Sequence, residues 1–71
     1  MSMKATITVQ MDGAAFDVEP GAELAAVLRD IAAYVDGCAV AELKSTRQHF
    51  PDTNGNQAAL LRVRRMHELY R

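Results

Sequence analysis

The hydrophobic pattern changes period within the first half of the chain, and that change dictates a mixed fold. Residues Thr6 to Met11 alternate, with Ile7, Val9 and Met11 on one side and Thr6, Thr8 and Gln10 on the other. This is the repeat of a half-buried strand. From Gly21 to Asp36 the apolar residues fall at Leu24, Val27, Leu28, Ile31 and Val35, the spacing that draws one stripe along a helix. A chain that carries both periods belongs to the α+β class.

Asp12-Gly13 follows the alternating run, and Asp-Gly favours a two-residue type I′ turn because both central residues need positive φ. With those two at the tip, Met11 faces Ala14, Val9 faces Phe16 and Ile7 faces Val18. Every large apolar residue then shares one face, with Asp17 and Glu19 on the other, so the sequence predicts an N-terminal β-hairpin. Pro20 and Gly21 end it. Glu23 sits in the first turn of the helix that follows, where a negative charge suits the helix dipole. Gly37 is placed for a left-handed residue after the last turn.

The second half is less periodic. Cys38 to Lys44 reads as a third strand, a turn or the start of another helix, since a run that short has no diagnostic repeat. Phe50-Pro51-Asp52-Thr53-Asn54-Gly55-Asn56 is a turn by composition. Beyond it, Gln57 to Arg71 is rich in helix formers, so propensity predicts a C-terminal helix with a stripe of Leu60, Val63, Met66 and Tyr70. Leu61 and Leu69 fall off that stripe. The alternative is a ββαββ chain with a second hairpin at Asn54-Gly55, in which Ala59, Leu61 and Val63 alternate with Arg62 and Arg64.

With 71 residues there is material for one core and one domain, residues 1–71, and a core of that size leaves only about 3–5 kcal/mol of net stability. Cys38 is the only cysteine, which rules out an intramolecular disulfide and favours a reducing compartment. Met1 to Thr6 lacks the apolar segment of a secretory signal. The longest apolar run, Leu24 to Leu28, is far short of the roughly 20 residues that span a bilayer. The expected location is the cytoplasm, with no membrane partner.

Charge is unevenly spread although the net is −1. Met1 to Glu42 holds seven acids against two bases, and Leu43 to Arg71 holds six bases against two acids. The halves therefore carry −5 and +4. Such asymmetry marks a basic binding surface or two halves that attract each other in the fold.

The string Phe16-x-Val18-Glu19, Leu24-x-x-x-Leu28-x-x-Ile31-Ala32, Gly37 and Asp52-Thr53-Asn54-Gly55-Asn56 resembles short accessory proteins encoded by phages and other mobile elements. The resemblance touches about the middle two-thirds of the chain and implies a hairpin, a helix and a second hairpin around the Asn-Gly-Asn turn. Against that pattern, Ser45 to Pro51 looks inserted. Small accessory proteins of this kind, anti-CRISPR proteins among them in size, bind and inhibit a host protein, including defence machinery. No functional residue carries over.

Catalytic signatures are missing from the sequence. Nucleophilic catalysis needs a nucleophile, a base and an orienting group, and a single cysteine such as Cys38, just after a predicted helix end, is usually a core residue. Cys38, His49, Asp52 and His67 are acceptable zinc ligands in none of the usual spacings. Asp12 and Asp17 are explained by turn and solvated strand. Gly13, Gly21, Gly37 and Gly55 are scattered, so no phosphate-cradling loop exists. The expectation is a protein that is not an enzyme and holds no cofactor or metal.

The one constellation is Arg62-Val63-Arg64-Arg65, with Lys44, Arg47, Arg71 and Tyr70 nearby in sequence. On the predicted helix, Arg62 and Arg65 flank one side of the apolar stripe and Arg64 the other, the position of residues that bury their stems and keep the guanidinium in water. As a binding feature the arginines fit an acidic protein surface ahead of nucleic acid, because the chain is not basic overall and no aromatic is interleaved to stack bases. Arg62, Arg64, Arg65, Tyr70 and Arg47 are the candidate contacts of a protein-binding adaptor or inhibitor. The competing roles are a nucleic-acid-binding accessory protein and a phage structural or assembly component. Leu61, Leu69 and Tyr70, uncovered on such a helix, also motivate a homodimer.

Overall fold

The computed structural model describes residues 2–65, so Met66, Leu69, Tyr70 and the other residues after Arg65 lie outside it. Strand β1 (Met3–Val9) leads through a 3-10 turn (Ala14–Phe16) into helix α1 (Pro20–Asp36). A one-turn helix α2 (Val40–Leu43) follows, then strands β2 (Arg47–Pro51) and β3 (Gln57–Arg65). The strands form one antiparallel sheet in the order β1-β3-β2. This is an α+β fold, as the two periods require.

The N-terminal hairpin does not form. Gly13 has φ −79, and no residue other than glycine has positive φ among those described, so the type I′ turn is absent. Instead the Phe16 N–H donates to Gly13 O (3.0 Å) and the Asp17 N–H to Ala14 O (3.1 Å), a tight turn that buries Phe16 and leaves Val18 88% exposed. The local hairpin loses to a longer ladder. β1 pairs with β3 from Met3↔Arg65 to Val9↔Ala59, a ladder of seven pairs in which Ala5 and Ile7 stand opposite Val63 and Leu61 of the buried core.

The expected C-terminal helix is likewise replaced, through Arg65, by strand β3. A period of two puts Ala59, Leu61 and Val63 on one face, all buried, and Leu61, which the helix stripe excluded, is 1% exposed at the centre of the core. Central position overrides propensity, because β3 has a neighbouring strand on each edge. Ser45 to Pro51, apparently inserted, supplies strand β2. The second hairpin is therefore present, closed by residues 52–56.

From inside, that turn is held by the Asp52 carboxylate. Asp52 Oδ1 accepts from the N–H groups of Asn54 (2.9 Å) and Asn56 (3.0 Å). The Asp52 N–H donates to Asn56 O at 2.8 Å and the Gly55 N–H to Asp52 O at 3.0 Å. Gly55 has φ 85, the left-handed region that glycine enters at no steric cost. A register shift at Phe50/Pro51 marks the end of the ladder beside the turn.

Helix α1 begins with Pro20 at its first position, where the missing N–H has no partner to lose. It lays Val27 and Ile31 on Phe16, Phe50, Ala58, Ala59, Leu61 and Val63, with Leu24 and Val35 at the margin. Tyr34 meets the Phe50 ring edge to face, centroids 5.5 Å apart. Loss of water around the Tyr34 hydroxyl raises its pKa, with the Cys38 and Glu42 charges acting in the same direction. Leu28 lies off the core and is exposed. Glu23 stands in the first turn of α1 as expected and is buried there, its carboxylate accepting from the Thr53 N–H (2.8 Å) and hydroxyl (2.9 Å). Gly37 has φ −89, so the left-handed end expected there is absent; the Gly37 and Cys38 N–H groups instead donate to Tyr34 O (3.2 Å) and Val35 O (3.0 Å). In α2, Glu42 Oε1 accepts from the Ala39 N–H at 2.9 Å.

Candidate cationic face of the sheet

Because α1 covers one face of the sheet, the other is left to solvent, and strand parity decides what stands on it. Side chains alternate between faces. With Ala59, Leu61 and Val63 turned to the core, Leu60, Arg62 and Arg64 of β3 point the other way. Lys4, Thr6 and Thr8 of β1 stand opposite Arg64, Arg62 and Leu60. On the far side, Arg47 stands opposite Arg62 and His49 opposite Leu60.

Four cations, Lys4, Arg47, Arg62 and Arg64, thus share one open face, and each is exposed. None of the three strands among the described residues contains an Asp or Glu. Two pairs of like charge, Lys4 with Arg64 and Arg47 with Arg62, stand directly across from each other. Cross-strand like charges destabilise a sheet, so this face carries a standing cost that an anion laid across it would relieve. Lys4, Thr6, Arg62 and Arg64 line a shallow hollow of about 140 Å³. A second, of about 270 Å³, adjoins it between Thr8, Gln10, His49, Gln57 and Leu60.

The arginine run behaves differently from its sequence reading. Arg62 and Arg64 do not flank an apolar helix stripe on opposite sides; they project side by side from a strand. Arg65 has the opposite parity, on the side of Val63, and is partly buried. Arg47, a candidate contact that lies 15 residues from Arg62 in sequence, is brought into register with it. Tyr70 lies outside the described residues. Lys4, from the acidic half of the chain, was missed; once β1 is assigned to β3 as its partner, the alternation Lys4-Thr6-Thr8 puts it on the arginine face.

Acidic groups occupy the other layer. Glu23, Asp30 and Asp36 are on α1 and Glu42 on α2, with Asp17 and Glu19 just before α1. The charge asymmetry of the sequence becomes an asymmetry between layers. Among the described residues no group of three or more His, Cys, Asp or Glu side chains is placed to hold a metal ion. No helix among them is long and apolar enough to cross a membrane. Leu61, one motive for a homodimer, is buried in the core. Comparisons with family models, curated proteins and solved structures find no match to this chain.

Proposed function

We propose that the protein is a non-catalytic binding module whose open sheet face docks on an acidic surface of another protein, with Lys4, Arg47, Arg62 and Arg64 as contacts. The observation that carries this reading is the pair of directly opposed like charges, Lys4 with Arg64 and Arg47 with Arg62, on a face built from strands without a carboxylate. Partner carboxylates would accept from the guanidinium forks in bidentate pairs. Thr6, Thr8 and the half-buried Leu60 lie among the cations, giving the mixed apolar and arginine surface found at protein interfaces. The partner expected is a host protein met in the cytoplasm. Inhibition of that protein is the role suggested by the resemblance to mobile-element accessory proteins.

Nucleic acid is the second reading, favoured by the adjacency of cations across all three strands, which suits a phosphate backbone. Among the described residues no Phe, Tyr or Trp stands on the open face to stack bases, and the acidic helix layer repels a polyanion that would wrap the molecule. Protein therefore leads.

The test is an affinity pull-down from host lysate with and without nuclease, comparing wild type, Arg62→Ala/Arg64→Ala and Arg65→Ala. The expected result is a stoichiometric protein that survives nuclease and Arg65→Ala but is lost with the double variant, whose affinity falls roughly 10- to 100-fold. Recovery only of nuclease-sensitive material would transfer the reading to nucleic acid.

A further inference from the structure

We propose that the free edge of β1 is a self-pairing surface, and that two copies of this chain join there in a continuous six-stranded sheet. The argument begins with backbone parity. The Gln10 N–H donates to Ala58 O at 2.7 Å, and hydrogen-bonded pairs alternate along an antiparallel ladder. Thr8, Thr6 and Lys4 therefore turn their N–H and C=O toward β3. Val9, Ile7, Ala5 and Met3 turn theirs outward, away from the other strands of the described residues.

A second β1 running antiparallel satisfies all four at once in a single register, Ala5 with Ile7 and Met3 with Val9 of the other copy, about a two-fold axis through Thr6. Side chains agree with that register. On the helix side it brings together Met3, Ala5, Ile7 and Val9 from both copies, every one apolar. Met3 and Ile7 are 41% and 46% exposed in the single chain, because α1 covers the β2 side of the sheet, and Leu28 of α1 is 42% exposed. On the open side Lys4 falls opposite Thr8, so no two like charges face each other across the new seam.

The two edges of the sheet are not equivalent. β2 is five residues long, ends in Pro51 and has an irregular register there, features that blunt a strand edge. β1 has seven residues, no proline and no bulge. Pairing at one edge with the other blunted closes at two copies.

This inference is independent of the function proposed above, since it uses the strand edge and the helix side of β1. The experiment is sedimentation of the wild-type chain up to high micromolar concentration, alongside Ala5→Pro and Thr6→Pro. Wild type is expected as a dimer. Ala5→Pro removes only an outward N–H, so a folded monomer with unchanged circular dichroism is expected. Thr6→Pro removes an N–H bonded to β3, and loss of fold is expected. A register test runs beside it in a Cys38→Ser background. Thr6→Cys is expected to form a disulfide between copies, since Cα atoms in a non-hydrogen-bonded pair are about 4.5 Å apart. Lys4→Cys should not, because the two positions sit about 14 Å apart along the strands. A wild-type monomer, a dimer that survives in folded Ala5→Pro, or equal cross-linking of the two cysteine variants would overturn the proposal. Should Ala5→Pro itself unfold, the cross-linking comparison decides.

Discussion

Asp52 and Glu23 are carboxylates buried in a chain with little stability to spare, and both are spent on the same turn. Asp52 bonds the N–H groups of Asn54 and Asn56 from inside the loop, while Glu23 reaches from α1 to the N–H and hydroxyl of Thr53. Hydrogen bonds to a charged group are worth about 1.5–3 kcal/mol, and removing one partner leaves the donors unpaired. Asp52→Ala is therefore expected to cost roughly 2 kcal/mol in chemical denaturation. Gly55→Ala is expected to cost about 1 kcal/mol or more, since alanine resists φ 85. The cationic face gives the opposite sign. Replacing Arg62 by threonine removes a like charge facing Arg47 and places a β-branched residue in a strand, so stability should rise by roughly 0.2–1 kcal/mol while binding falls. A drop in stability for Arg62→Thr would remove the argument that the face is strained.

At the level of elements, β3 is the piece on which everything else is assembled, with a strand on each edge and α1 across one face. Leu61→Ala at its centre is expected to cost 2–5 kcal/mol, comparable with the whole net stability of a domain this small, so an unfolded circular dichroism spectrum is the expected outcome. α1 was legible from the sequence because Leu24, Val27, Ile31 and Val35 repeat at a helix period over about three turns. β1 was legible from Ile7 and Val9, but its partner was not, since Asp12-Gly13 satisfies hairpin chemistry that the chain does not use. β3 was readable only as an alternative. Gln57 to Arg71 is rich in residues that favour helix when taken alone, and nothing local reveals that Ala59, Leu61 and Val63 will be flanked on both sides. The arginines were visible as residues and invisible as a surface: their grouping with Lys4 and Arg47 exists only once the strand order is known.

Across the described residues charge is separated by layer, with most cations on the sheet, Arg29 of α1 and Lys44 after α2 excepted, and most acids on the helices and the loops beside them. For an acidic partner this predicts an association rate that falls about tenfold or more as salt rises from low to physiological ionic strength, with a much smaller change in dissociation. Stopped-flow mixing at several salt concentrations checks it; equal sensitivity of the two rates would argue against steering. The layered arrangement has one more physical result. A body with a net charge of only −1 that is positive on one side and negative on the other is an electric dipole, and in the field of an acidic surface it experiences a torque stronger in its effect than the net pull. It would turn before it lands, presenting Arg62 and Arg64 first, so that many of the encounters that would otherwise be wasted on the wrong side of the molecule arrive already oriented.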